Sequence, residues 1–142
     1  MTGMIVTGHG SFATGITSGL KLLAGEPAHY EAVDFLPEDS VEILTEKLKQ
    51  AADRLEDCGE IIIYADLTGG SPFNVSIRMK MEGERIMEVI GGVNLPMILD
   101  GYLAREGIGD VRALAQAALT AGKEAMVWFQ PSEETDDDEY EE

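Results

Sequence analysis

The feature that most constrains the fold of this chain is the alternation of short apolar runs with segments of helical periodicity. Such alternation is typical of parallel βαβ units, in which each helix carries the chain back to the start of the next strand. The three successive isoleucines within residues 60–66 predict a strand that is buried on both faces and is therefore central. The five predicted strands cover residues 4–8, 30–35, 60–66, 85–92 and 124–129.

Capping residues mark the helices that lie between and after these strands. Serine and aspartate accept hydrogen bonds from first-turn amides, proline fits the first helical position, and glycine ends a helix. On these signals Ser11 caps the first helix and Gly25 ends it, while Ser71 caps the third helix with Pro72 at its first position. The predicted helices cover residues 11–23, a segment from Asp39 or Ser40 to 55, 71–81, a segment after "VNLP" to about 105, and 110–121 with Gly122 ending it.

Strands interleaved with helices in a chain of 142 residues predict an open, doubly wound α/β sandwich of three layers. A barrel of eight such units would need about 250 residues. In the common strand order 2-1-3-4, a ligand crevice opens at the carboxyl ends of strands one and three, where the chain order reverses. The glycine-rich loops "TGHGS" and "DLTGGSPFN" follow those two strands, so we expect them to face each other.

The charge of the chain restricts the partners that it can bind. The formal net charge is −17, which disfavours binding to nucleic acid phosphates. Eight of the last ten side chains are acidic, which predicts one folded domain over residues 1–130 and a disordered acidic tail over 131–142. The single Cys58 excludes an internal disulfide, and we expect a cytoplasmic protein without a membrane-inserted segment.

His9 lies between two glycines at the end of the first predicted strand, where small neighbours leave a side chain accessible. A hydrogen bond from one imidazole nitrogen to Asp66, across the crevice, would leave the other nitrogen as a nucleophile. Two helix N-termini would meet there and favour an anion such as a phosphoryl group. The predicted phosphate contacts are Gly10, Ser11, Gly70 and Ser71, together with the hydroxyl of Thr68.

Other interpretations of His9 remain open on the sequence. Gly8, Gly10 and Ala13 match a dinucleotide-binding fingerprint, with Asp34 at the end of the second predicted strand as the ribose contact. A metal site is weaker, because no histidine or cysteine lies at ligand spacing from His9. A serine hydrolase would need a G-x-S-x-G elbow, which the chain lacks. A purely structural histidine is the remaining alternative.

Several segments give the chain a resemblance to a known family. They are "IVTGHG", "LLAGE", "VDFLPED", "GGSPFN" and "EVIGGVNLPM", and the pair "GGSPFN" and "GVNLPM" is specific. On these segments the chain resembles the IIA domain of the mannose class of the sugar phosphotransferase system, over residues 4 to about 129.

This resemblance implies that His9 is phosphorylated by the carrier protein HPr and passes the group to a histidine of a IIB domain. It implies that Asp66 partners His9, and that Thr68 and Ser71 lie in the site. It also implies a homodimer in which the segment "EAMVWF" is an exchanged, antiparallel strand. No metal or nucleotide cofactor is implied, and the membrane components IIC and IID are indirect partners.

One departure from the family pattern concerns the residues after the aspartate. Family members often carry a threonine directly after it, whereas this chain reads Asp66, Leu67, Thr68, which leaves the role of Thr68 open. A related group delivers phosphoryl groups to dihydroxyacetone kinases and is one alternative function. A non-catalytic, anion-binding regulatory module is another.

Overall fold

The structure is a computed structural model that describes residues 1–132, and its sheet has four parallel strands in the order β2-β1-β3-β4. The doubly wound fold and the strand order predicted from the sequence are confirmed. The strands are β1 (Gly3–His9), β2 (Tyr30–Phe35), β3 (Glu60–Ala65) and β4 (Ile86–Gly91). The helices are α1 (Phe12–Ala24), α2 (Val41–Arg54), α3 (Ser71–Glu82), α4 (Leu95–Ala104) and α5 (Val111–Glu124).

Two apolar clusters cover the two faces of the sheet and produce the three layers. Side chains alternate between the faces along each strand, so Ile62 and Tyr64 of β3 join one cluster while Ile61 and Ile63 join the other. Helices α1, α4 and α5 pack on the first face, and α2 and α3 pack on the second. No helix within residues 1–132 is long and apolar enough to cross a membrane.

The helix starts follow the predicted capping signals in some places and depart from them in others. Ser40 accepts a hydrogen bond from the amide of Ile43, as a cap should. Ser11 lies at the cap position of α1, but its side chain makes no capping hydrogen bond. The prediction that Ser71 caps α3 is wrong, because the carbonyl of Gly70 accepts from Asn74 and Ser71 is therefore the first helical residue.

The carboxyl end of the described chain differs from its prediction. Helix α5 continues through Gly122 to Glu124, and residues 126–130 form no strand, so the sheet of the described chain has four strands instead of five. A strand must pair with a neighbour, and no strand within residues 1–132 takes the place beside the outer edge of β4. Residues 133–142, most of the predicted acidic tail, lie outside the described residues.

The amino ends of the strands are closed by two arginine side chains. Each guanidinium donates hydrogen bonds to three backbone carbonyls that lie close together at this end of the sheet. Arg85 bonds the carbonyls of Ala52, Leu55 and Cys58 at the end of α2. Arg105 bonds those of Thr2, Ala28 and His29 before β1 and β2.

Candidate functional site

The ends of β1 and β3 bring His9 and Asp66 into contact at the carboxyl edge of the sheet. His9 is the last residue of β1, and Asp66 follows β3, where its amide donates to the carbonyl of Thr7. The Nδ1 atom of His9 lies 2.9 Å from Oδ2 of Asp66. The same oxygen accepts the backbone N–H of His9, also at 2.9 Å. One carboxylate oxygen therefore fixes both the main chain and the ring of His9.

A glycine allows the carboxylate to approach this closely. A Cβ atom at Gly8 would lie 2.8 Å from Cγ of Asp66, which is too short for any real contact. The second oxygen of this carboxylate, Oδ1, is buried and has no hydrogen-bond partner within residues 1–132. Asp66 is thus held in a partly desolvated position by its bonds to His9, and its own hydrogen-bonding capacity is not fully used.

The contact determines which imidazole nitrogen is available for chemistry. A carboxylate accepts hydrogen bonds but does not donate them, so Nδ1 of His9 carries the proton and Nε2 carries the lone pair. The His9 side chain is 45% exposed, whereas that of Asp66 is 15% exposed. A half-exposed ring with a lone pair on Nε2 is therefore combined with a more shielded carboxylate.

Two helix N-termini flank the pair, but not all of the predicted amide donors are available. The amide of Gly10 donates to the carbonyl of Phe35 at 2.7 Å, and that of Gly70 donates to Leu67 at 3.2 Å. The amides of Ser11 and Ser71 precede the first intrahelical hydrogen bonds of α1 and α3, so their own helices do not use them. The serine amides are thus backbone donors that the two helix ends leave unused.

Thr68 lies in the loop between β3 and α3, on the side of that loop next to β4. A Cβ atom at Gly91 would collide with the Thr68 hydroxyl, so this side chain rests against the end of β4. Within residues 1–132, no hydrogen bond joins Thr68 to His9 or Asp66. The structure therefore does not bring Thr68 into the hydrogen-bonded pair.

Asp34 has a different role from the one that a dinucleotide fingerprint would give it. Its two carboxylate oxygens accept from the amide and the hydroxyl of Thr14, at 3.0 Å and 2.7 Å. Asp34 therefore binds the first turn of α1 from the neighbouring strand, and these oxygens are not directed to a ribose. In addition, the Phe12 side chain packs on Gly8, where a dinucleotide would need an open backbone.

Comparison with known proteins adds to this geometry. The family model EIIA-man, described as the PTS system fructose IIA component, matches residues 3–119. The chain belongs to this family. The EIIA resemblance that the sequence segments carry is thereby confirmed.

Individual EIIA relatives agree with the family match. The mannose-specific EIIAB component of Escherichia coli K12 is 33% identical over 127 residues, which is 89% of this chain but 39% of that relative. The chain thus spans about two fifths of the EIIAB relatives. The fructose-specific EIIA component of Bacillus subtilis is 27% identical and is covered over 90% of its length. The crystal structure of EIIA from Streptococcus agalactiae superposes with a TM-score of 0.84, at 31% identity, covering 89% of this chain and 96% of that one.

Phe35 is a site residue that the sequence reasoning did not single out. Its ring lies beside that of His9, with centroids 5.9 Å apart, because β1 and β2 pair these two residues in register. The signal was present in the sequence, since Phe35 ends the second predicted strand, His9 directly follows the first, and the two strands are neighbours in the order 2-1-3-4. Strand ends in register place their last side chains next to each other.

Proposed function

We propose that this EIIA component carries phosphoryl groups in the cytoplasm, taking them from phosphorylated HPr onto His9 and passing them to a histidine of a IIB domain during sugar uptake. The observation that carries the proposal is the 2.9 Å contact between Nδ1 of His9 and Asp66, which leaves an exposed Nε2 lone pair. The EIIA family match supports the same assignment.

The transfer proceeds by attack of the Nε2 lone pair on the phosphorus of the donor phosphohistidine. A nitrogen–phosphorus bond forms at His9, and the bond in HPr breaks as its electron pair returns to the donor imidazole. The His9 ring becomes cationic while it keeps its proton on Nδ1. Asp66 stabilises that charge, and the reaction depends on alignment and charge stabilisation more than on proton transfer.

The phosphoryl oxygens need donors on the protein, and Ser11 and Ser71 are the best candidates. Both lie at the N-terminus of a helix, where the amides and the helix dipole favour a negative charge. Their side chains are at least partly exposed, so their hydroxyls add two further possible donors. Gly10 and Gly70 contribute by shaping the loops, because their amides already donate to protein carbonyls.

The deciding experiment is incubation of the purified chain with HPr, enzyme I and labelled phosphoenolpyruvate. We expect one acid-labile, alkali-stable phosphate per chain on His9, with phosphorus on Nε2 by nuclear magnetic resonance. His29→Gln is the matched control, since His29 is the second histidine and lies before β2. An unlabelled His9 would overturn the carrier function and favour a non-catalytic anion-binding module. A label on Nδ1 would overturn the role given to Asp66.

We also propose a homodimer in which residues 124–129 of one copy add an antiparallel strand to the β4 edge of the other. Support comes from four adjacent apolar side chains that are more than half exposed after α5. Their exposed fractions are 70% for Met126, 81% for Val127, 86% for Trp128 and 57% for Phe129. Strand β4 ends the sheet and has no strand on its outer side within residues 1–132, so it can accept one.

Lys80 bears on how such a strand is added. Its Nζ donates to the carbonyl of Met87 at 2.7 Å and to Glu88 at 3.2 Å. Met87 and Glu88 point to opposite faces of the sheet, so the ammonium lies beside the outer edge of β4. A pairing strand must displace this ammonium group.

We expect a dimer of the wild type by light scattering, a monomer for Trp128→Asp, and tighter dimerisation for Lys80→Met. A wild-type monomer at high concentration would contradict the exchange.

A further inference from the structure

The hydrogen bond to Asp66 does not by itself define the direction of the His9 nucleophile. It fixes one ring atom, Nδ1, while the ring can still turn about that contact. Burial does not prevent such motion either, since the side chain is 45% exposed. Attack on phosphorus requires an aligned lone pair, so other contacts must orient the ring.

Phe35 supplies the first of these contacts. The two rings meet edge to face, at 5.9 Å between centroids and 60° between planes, which is a favourable aromatic geometry. The Phe35 ring is itself half-buried against the cluster under α2 and α3. Its carbonyl accepts from Gly10 at 2.7 Å, which ties its backbone to the residue after His9.

The backbone around Phe35 is fixed on its other side by an ion pair. Lys47 donates to the carbonyl of Asp34 at 3.2 Å and to Oδ2 of Asp39 at 2.6 Å. The same Asp39 oxygen accepts the amide of Leu36 at 2.9 Å. Because the residues before and after it are both held, Phe35 presents a rigid edge to the imidazole.

Gly70 supplies the second contact. A Cβ atom built on Gly70 would lie 2.6 Å from Cε1 and 3.2 Å from Nε2 of His9, so the ring rests against the glycine backbone. The φ of −77° at Gly70 is ordinary for any residue. Space for the ring, and not backbone conformation, therefore requires glycine at this position.

We propose that Phe35 and Gly70 are positioning residues that together form a slot for the imidazole, in which Nε2 is aimed outward toward the incoming phosphorus. Asp66 sets the tautomer, and the slot sets the ring plane. This inference rests on the proposed phosphoryl transfer for its kinetic test, but the order of the ring can be measured without any phosphoryl donor.

The first test uses Phe35→Leu, which removes the aromatic edge and keeps an apolar side chain. We expect single-turnover labelling by phosphorylated HPr to slow by about tenfold or more, and rescue by Phe35→Tyr. Val33→Ala is the control, because Val33 is buried on the same face of β2; it should lower the melting temperature and keep the labelling rate. Equal rates for Phe35→Leu and the wild type would overturn the inference.

The second test uses Gly70→Ala, whose methyl group would displace the ring. We expect labelling to slow by about 100-fold, against an unchanged rate for Gly59→Ala, where no atom lies within 4 Å of the added methyl. Carbon relaxation at Cε1 of His9 should show a more mobile ring in Phe35→Leu and Gly70→Ala than in the wild type. A ring that is equally ordered in all three proteins would overturn the slot, even if the wild type accepts no phosphate.

Discussion

The two ends of the parallel sheet handle their charged and polar groups in opposite ways. At the amino end, Arg85 and Arg105 each donate to three backbone carbonyls, and Arg105 is 4% exposed. At the carboxyl end, the crevice between β1 and β3 holds a carboxylate oxygen of Asp66 that has no partner in the described part of the chain, residues 1–132, and the amides of Ser11 and Ser71 that their own helices do not use. The arginines at the amino end direct their donors to backbone carbonyls, although the buried hydroxyl of Thr2 has no partner within residues 1–132, whereas the carboxyl end keeps unused groups on a half-exposed site.

This difference places the groups that stabilise the fold at the amino ends of the strands and the groups that are free for function at their carboxyl ends. Burial lowers the pKa of Arg105, which shows that desolvation disfavours its charge, and its hydrogen bonds to carbonyls offset that cost. The same unused groups that would be a defect at the amino end are what a phosphoryl group needs at the carboxyl end. Variants at the two ends should therefore fail in different ways.

The largest effect should come from the carboxyl end. We expect His9→Gln to abolish phosphoryl acceptance and to change the free energy of unfolding by less than about 0.5 kcal/mol, since the half-exposed ring contributes little packing. Labelling with phosphorylated HPr and urea denaturation measure the two quantities. A strong loss of stability would show that the open end also supports the fold.

The reverse result is expected for Arg105→Gln at the amino end. A shorter neutral side chain no longer donates to the carbonyls of Thr2, Ala28 and His29, of which that of His29 keeps the amide of Met4, so we expect a loss of about 3 kcal/mol in the free energy of unfolding. Labelling of the folded fraction should be unchanged. Arg112→Gln, on the exposed side of α5, is the control and should stay within about 0.5 kcal/mol. If fully folded Arg105→Gln were labelled more slowly than the wild type, the amino end of the sheet would also serve function, and the two roles would not be separate.

The two ends also differ in how far the sequence could predict them. The doubly wound class follows from local periodicity, the 2-1-3-4 order is the common one for such sheets, and the pairing of His9 with Asp66 follows from that order and from where strands end. The carbonyls that Arg105 binds lie 76 to 103 residues away, so no local pattern marks it as more than the end of a helix. The predicted strand at 124–129 is not formed within residues 1–132 for a related reason, because its own apolar run does not specify a pairing partner.

Asp66→Asn should slow labelling less than His9→Gln does, and it tests the same difference between the two ends of the sheet. The amide keeps an acceptor for His9 but loses the charge that stabilises a cationic ring, so we expect labelling to slow by about 10- to 100-fold. The free energy of unfolding should change little, since the amide NH2 replaces a carboxylate oxygen that is buried without a partner within residues 1–132.

Asp34→Asn is the matched control for that variant. Asp34 lies at the same end, but both of its oxygens are bonded by Thr14, so its loss should lower stability by about 1 kcal/mol with little effect on labelling. If Asp66→Asn destabilised the chain as much as Asp34→Asn does, the unpartnered carboxylate of Asp66 would be supporting the fold and not only the site.

The smallest effect concerns Asp39, which lies at the carboxyl end of the sheet but forms an ion pair with Lys47. Hydrogen bonds from Lys47 and from the Leu36 amide hold the pKa of Asp39 below its ordinary value. Since the folded pKa is the lower one, the stabilisation is complete above the ordinary aspartate pKa of about 4 and disappears as the pH falls through the folded value. The stability difference between wild type and Asp39→Asn, measured by urea denaturation, should be constant near neutral pH and vanish in strong acid. A difference that persists there would mean that shape, and not charge, links Asp39 to Lys47.

Because this pair fixes the backbone beside Phe35, Asp39→Asn should slow labelling less than Phe35→Leu does.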